Sequence, residues 1–268
     1  MQSAPARGRR GLAVVAAVLV LTAISVGLPT PTQASTESTM ESSLRTWISR
    51  DRVARGLRPL RNDSRLAGLA GERATWMAVK GKLSHNSVDG SACDAMSKRS
   101  IYWYRCGEDI GFTTATWGTQ SAKFIYTLWR HSPAHWALLM SSRFNYLGVG
   151  VARRSNGSTY SSIVFIEGPD RTAPIPRMRT RSVSGTTVRF TWSATDVRLQ
   201  THTSGVKNYN VALRVDNGPY VQIRTSTTRT SLTLLHRAHG HWYTVRIRAR
   251  DNRGNLSAWS TGKRAWVP

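Results

Sequence analysis

The stretch "KGKLSHN", Lys80–Asn86, decides how this chain is read. It closes a segment, "NDSRLAGLAGERATWMAVKG", with apolar groups at Leu66, Leu69, Ala70, Ala74, Met77 and Ala78, the spacing of one helical face. Asp63 or Ser64 supplies an N-cap, and Gly81 sits where the left-handed C′ residue belongs. A histidine, His85, therefore follows a helix end directly. Its partners decide whether it is a lone surface group or part of a site.

Upstream, "TMESSLRTWISRDRVARGL" places Leu44, Trp47, Ile48 and Val53 near one helical face and stops at Gly56. Downstream, "TQSAKFIYTLW" reads as a helix capped by Thr119, and "SPAHWALLM" restarts with Ser132 at N-cap and Pro133 at N1. "YLGVGVARR" and "TYSSIVFIEG" flank Asn156-Gly157 and form a β-hairpin. "EGPDRTAPIPRM" reads as a linker over 168–178. Beyond it the period changes to two: "TTVRFTWSATD", "KNYNVALRVD", "PYVQIRTS", "SLTLLH" and "HWYTVRIRARD" are strands of an antiparallel sandwich.

The N-terminus points to export. Arg7, Arg9 and Arg10 precede the apolar run Leu12–Leu28, and small residues end at Ala34, so residues 1–34 read as a signal peptide, by the general or the twin-arginine route. No second apolar segment follows, which makes the expected mature protein secreted, with its oligomeric state open. Cys93 and Cys106 then read as a disulfide, with free thiols and a zinc–thiolate pair as the alternatives. A loop of that length contributes about 3 kcal/mol in the chain-entropy account.

Charge is the other bound. The chain carries 38 basic and 14 acidic residues. Residues 171–268 hold 17 basic and 3 acidic groups, a net +14, against +7 for residues 35–170. Such a field favours an anionic cell-surface polymer, acidic polysaccharide or nucleic acid, and the last is disfavoured by the exported setting and by the lack of a nucleic-acid motif. In "HWYTVRIRARD", Arg246, Arg248 and Arg250 alternate with apolar neighbours, and Arg214 occupies the matching face of "NYNVALRVD", with Tyr209, Val211, Leu213 and Val215 expected inward. These four arginines are the candidate anion-binding stripe.

"GLRPLRNDSRLAGLAGERATWMAVKGKLSHN", "CGEDIGF", "LWRHSPAHWALLM" and "YLGVGV", in that order, resemble the bacterial branch of the CAP superfamily, also called the SCP-like or cysteine-rich secretory, antigen 5 and pathogenesis-related-1 family. The resemblance implies an α+β chain: a CAP α-β-α sandwich over 35–167, followed by an all-β domain over 172–268 that resembles a fibronectin type III module, with Trp192 and Tyr243 at its core positions. It implies a cavity with His85, Glu108 and His135, a set able to bind zinc or copper, or a small apolar ligand. It assigns no catalytic residue. The sequence departs from the family in lacking an acid in "WRHSPAH", in Asp109 where asparagine is usual, and in Trp136 where bacterial relatives carry arginine. The expected function is non-catalytic: ligand or cation binding in the cavity, with the basic sandwich holding the protein at a cell wall. The alternative is a hydrolase using Ser84 or Ser132 with a cavity histidine, although no nucleophile-elbow motif is present.

Overall fold

The structure, a computed structural model, describes residues 31–268, with side chains from residue 36 on. The apolar run of the expected signal peptide lies outside the described residues. Among them, no helix is long and apolar enough to cross a membrane.

The first half runs α1 (Pro31–Ala54), β1 (Arg61–Asn62), α2 (Ser64–Lys80), α3 (Ala92–Lys98), β2 (Arg105–Thr113), α4 (Thr119–His131), α5 (Pro133–Leu139), β3 (Tyr146–Arg153) and β4 (Thr159–Glu167). Its sheet has the order β1-β3-β4-β2, with β1 parallel to β3 and the other pairs antiparallel. Alternation divides the strands between two faces. Leu147, Val149, Val151, Ile163 and Phe165 meet α1, α4 and α5 through Met40, Leu44, Ile48, Ile125, Trp129 and Leu139. Tyr146, Val164 and Ile166 meet α2 and α3 through Leu66, Leu69, Ala70 and Met96. The result is the expected α-β-α sandwich.

The ends of α2 follow their chemistry, whereas α4 takes Gly118 rather than the expected Thr119 as its N-cap, with no side-chain cap bond. Asp63 caps α2 by accepting from the Arg65 amide, and Gly81 closes it in the left-handed region at φ 64°. Pro133 stands at the first turn of α5, as anticipated. Two elements lacked a clear periodic signal: α3, capped by reciprocal Ser91–Asp94 bonds, and β2, one of the sheet's two edge strands. The disulfide between Cys93 and Cys106 joins these two, with Cα atoms 5.9 Å apart.

The second half is a two-sheet sandwich: β5 (Ile175–Ser184), β6 (Thr187–Thr195), β7 (Val206–Val215), β8 (Val221–Thr227), β9 (Ser231–Leu234), β10 (His241–Asp251) and β11 (Lys263–Val267). The sheets run β5-β6-β9 and β11-β10-β7-β8. Trp192, Tyr209, Val211, Tyr243, Val245 and Ile247 fill the space between them, and the arrangement resembles a fibronectin type III domain. Val215, expected inward, is 40% exposed, because the chain turns at Asp216 immediately beyond it. The segment read as a linker over 168–178 is shorter than that reading: β5 begins at Ile175, and Gly168, Asp170, Thr172 and Pro174 are buried.

Candidate functional site

The α2 helix aims one charged side chain inward. Arg73 is buried on the same stripe as Leu66, Ala70 and Met77. Its Nε donates to Glu108 Oε1 at 2.5 Å and its Nη2 to Glu108 Oε2 at 3.0 Å. The remaining donors hold the loop after the helix, reaching His85 O at 2.5 Å, Ser87 Oγ at 3.1 Å and Gly90 O at 3.2 Å. Glu108, on β2, also accepts from Ser162 Oγ at 2.8 Å and lies 3.0 Å from His85 Nδ1. Both carboxylate oxygens are thereby saturated. With Nδ1 facing a carboxylate, His85 presents Nε2 outward.

His135 comes from the opposite face of the sheet. α5 is held by Arg52, fully buried on α1, whose Nη1 donates to Leu139 O at 2.8 Å and Ser141 O at 2.9 Å. His135 Nδ1 contacts Ser132 Oγ at 2.7 Å. Burial, and secondarily the charge of His85, hold its pKa below the ordinary histidine value. His131 lies outside, exposed, with Nδ1 2.8 Å from Thr127 O.

The two imidazoles meet across the edge of β2 in one cleft of about 690 Å³. Its walls are largely apolar: Leu83, Ile110, Phe112, Ile125, Leu128 and Trp129, with Ser84 and Ser132 beside the histidines. Gly111 permits this approach of α4, since a Cβ there would lie 2.5 Å from Ile125 Cγ2. Trp129 Nε1 caps the strand edge by donating to Ile110 O at 2.9 Å.

The expected set His85, Glu108 and His135 is thus brought to one region, but as a salt-bridged carboxylate with two imidazoles. Glu108 is the counter-ion of Arg73, and a metal ion would have to displace that guanidinium to use it. As arranged, the residues do not fit a His-Glu-His ion site, because two imidazoles fall short of the three protein ligands of an open zinc site. Among the described residues, the cluster of at least three acidic, imidazole or thiol groups with ligand atoms mutually within 4.8 Å is Asp170, Asp196 and Asp251, at the junction of the two halves. Their oxygens accept from Thr172, Ser204, Gly205 and Asn255, which pins the junction loops.

Arg73 was not among the residues singled out from the sequence. A signal existed, since an arginine on the apolar stripe of an amphipathic helix demands a buried partner.

The anion-binding candidates lie on the outer face of β7 and β10. Thr244 opposes Arg214 in the register, which sets Arg214 at one end of the row of Arg246 and Arg248. Arg250 ends the row and donates to Gly254 O at 2.8 Å.

Residues 45–166 match the family model for CAP, the cysteine-rich secretory protein family. The first half of this chain is therefore a CAP domain. Among solved structures, an extracellular protein containing an SCP domain from Bacillus anthracis aligns at 22% identity over 52% of this chain and 44% of its own, TM-score 0.44. An outer surface protein from Borrelia burgdorferi aligns at 16% identity over 48% of this chain and 92% of its own, also TM-score 0.44. A Fn3-like protein from Clostridium thermocellum matches at 26% identity over 35% of this chain and 92% of its own, TM-score 0.26. The chain spans less than half the length of the Bacillus anthracis protein.

Proposed function

We propose that this is a secreted, non-catalytic CAP protein that takes a small, mainly apolar ligand with a polar end, and that its basic sandwich holds it at an anionic cell surface. One observation carries the first part: apolar walls from Phe112, Ile125, Leu128 and Trp129 end on the paired His85 and His135 in a single cleft. A cleft of this volume and lining suits a small molecule whose few polar atoms are fixed by convergent groups. The +14 charge of residues 171–268 supports the second part. The Arg73–Glu108 pair has a positioning role, since it anchors the loop that carries His85.

The test uses 1-anilinonaphthalene-8-sulfonate, an apolar ring system with an anionic head. Wild type should bind it with saturable fluorescence gain, and Leu128→Asp, a change at a half-exposed wall residue, should weaken binding at least about ten-fold by placing a charge in the apolar wall. Equal binding by folded Leu128→Asp protein would remove the cleft from this account. Zinc and copper calorimetry tests the cation reading. The reading proposed here expects no site tighter than the micromolar range at pH 7, and a tight site lost in His135→Ala would overturn it.

The Ser132–His135 contact at 2.7 Å favours one alternative, a hydrolase. Against it, the two residues belong to one helical turn, and the carboxylate that could orient the base serves His85 instead. Ester or peptide hydrolysis that disappears in Ser132→Ala would establish the alternative.

A further inference from the structure

The outer face of the second sandwich carries more order than a solvated basic surface needs. Arg214 lies 4.8 Å from the ring centroid of Tyr220, and Arg246 lies 3.8 Å from the same ring. Arg246 is also 4.7 Å from Trp259, and Arg248 is 4.8 Å from that ring. Cations and rings thus alternate: Arg214, Tyr220, Arg246, Trp259, Arg248. The loop 256–260 sets Trp259 in place, because Ser257 Oγ accepts from the Ala249 amide at 2.9 Å and Ser260 Oγ from the Ile247 amide at 3.1 Å. Those two bonds lay the loop along the edge of β10 and turn the indole over the arginines.

Three like charges in a row repel, and the rings offset only part of that cost. The Nε atoms of Arg214, Arg246 and Arg248 are shut off from water and make no hydrogen bond. Among the described residues, no Asp or Glu forms an ion pair with any of the three. The guanidiniums are therefore held at fixed positions without a counter-charge. Much of the side-chain ordering that binding would otherwise require is already in place.

From this geometry we infer a binding site for an extended polymer with one phosphate per short repeat, of the polyol phosphate kind. The inference rests on the reading of the sandwich as an anchoring module. Alternate residues of a strand stand about 7 Å apart, which spaces Arg246 and Arg248 on β10, and Arg214, opposite Thr244 on the neighbouring β7, extends the row by one diagonal step. Each fork suits a phosphate oxygen pair. A three-carbon polyol phosphate has an extended repeat of similar length. Tyr220 and Trp259 are each engaged by two guanidiniums, so neither ring is offered to a nucleobase, and the stacking that single-stranded nucleic acid uses is lacking here.

The experiment is calorimetric titration of full-length protein with poly(glycerol phosphate), with polygalacturonate and with oligothymidylate as parallel arms. Wild type should bind poly(glycerol phosphate) tightest of the three, and Arg246→Gln and Arg248→Gln should each weaken it about ten-fold, the loss of one charge-assisted pair. Arg181→Gln and Arg229→Gln, at exposed positions outside the row, remove the same charge and should change affinity less than about two-fold by the same conversion. Equal losses in these controls would reduce the row to diffuse charge and overturn the inference, as would tighter binding of polygalacturonate or oligothymidylate. Thermal melts establish that each variant folds. If Arg246→Gln does not, Arg248→Lys keeps the charge without the planar fork, and an undiminished affinity there overturns the inference equally. Wild type that sediments with isolated cell walls yet ignores poly(glycerol phosphate) would refute the polymer assignment and leave the anchoring reading standing. Wild type that sediments with no wall and binds no polymer would remove the anchoring reading itself.

Discussion

Asp109 is fully buried, and neither of its carboxylate oxygens has a hydrogen-bond partner. It stands on β2 between Gly107 and Gly111, whose missing Cβ atoms would meet Leu138, Phe144, Ile125 and Trp129. Burial, and then the neighbouring charge of Glu108, push its pKa up to about 8. The folded state thus holds a proton that the unfolded chain releases near pH 4. That stabilisation is complete below the unfolded value and is lost as pH rises toward 8, with a limiting slope of about 1.4 kcal/mol per pH unit for one proton. Asp109→Asn should abolish this dependence and make the protein more stable than wild type at pH 8. Urea denaturation at pH 5 and pH 8 would measure it, and parallel pH slopes in both proteins would refute the argument.

At the scale of elements, α2 and β3 approach unusually closely. A Cβ on Gly150 would fall 2.2 Å from the Gly71 amide nitrogen and 2.3 Å from the Ala70 carbonyl carbon, and one on Gly148 would fall 2.0 Å from Leu66 C. Backbone cannot yield as a flexible side chain can, so Gly150→Ala must push the helix away from the sheet. It should cost about 3 kcal/mol, and because α2 carries Arg73 it should also loosen the His85 loop. A chemical denaturation midpoint equal to wild type would contradict this close packing. The caps Asp63, Gly81 and Pro133 were visible in the sequence, because each encodes a local backbone requirement, whereas Gly148 and Gly150 answer to the approach of α2, which the strand's own residues do not reveal. α3 was not legible, since its seven residues show too few turns for a period. β2 was hidden for another reason: Glu108 and Asp109 stand side by side in it and are both largely buried, one facing Arg73 and the other the core, which masks the alternation of a strand. β5 escaped because its positions are mostly exposed and Pro176 falls within it, as an edge strand allows. The histidine pair was readable from motif order. The neutralisation of Glu108 was not, because Arg73 on the apolar stripe of α2 calls for a buried partner without indicating which carboxylate supplies it.

Across the whole molecule, the two halves are joined by more than the connection at 168–174. Between β6 and β7 the chain sends Leu199 into the first domain's core, among Leu66, Ile101, Tyr146 and Val164. Gln200 Oε1 accepts from the Arg58 amide at 2.7 Å, and Thr201 O accepts from Asn145 Nδ2 at 3.2 Å. His202 stacks on Tyr104 with ring centroids 4.6 Å apart, and Arg253 Nη2 donates to the Tyr104 hydroxyl at 3.1 Å. If the second domain anchors the protein as proposed, a junction fixed in this way holds the cleft at a set orientation to the anchoring face. The contact also predicts shared stability. Leu199→Ala removes a buried side chain that fills the first domain's core, at a cost of about 2–4 kcal/mol, and much of that cost should appear far from the substitution. Hydrogen exchange followed by mass spectrometry should show faster exchange in peptides of α2 and β3 as well as in the loop around residue 199. If exchange quickens in that loop alone, the two domains fold independently and the junction is only a tether.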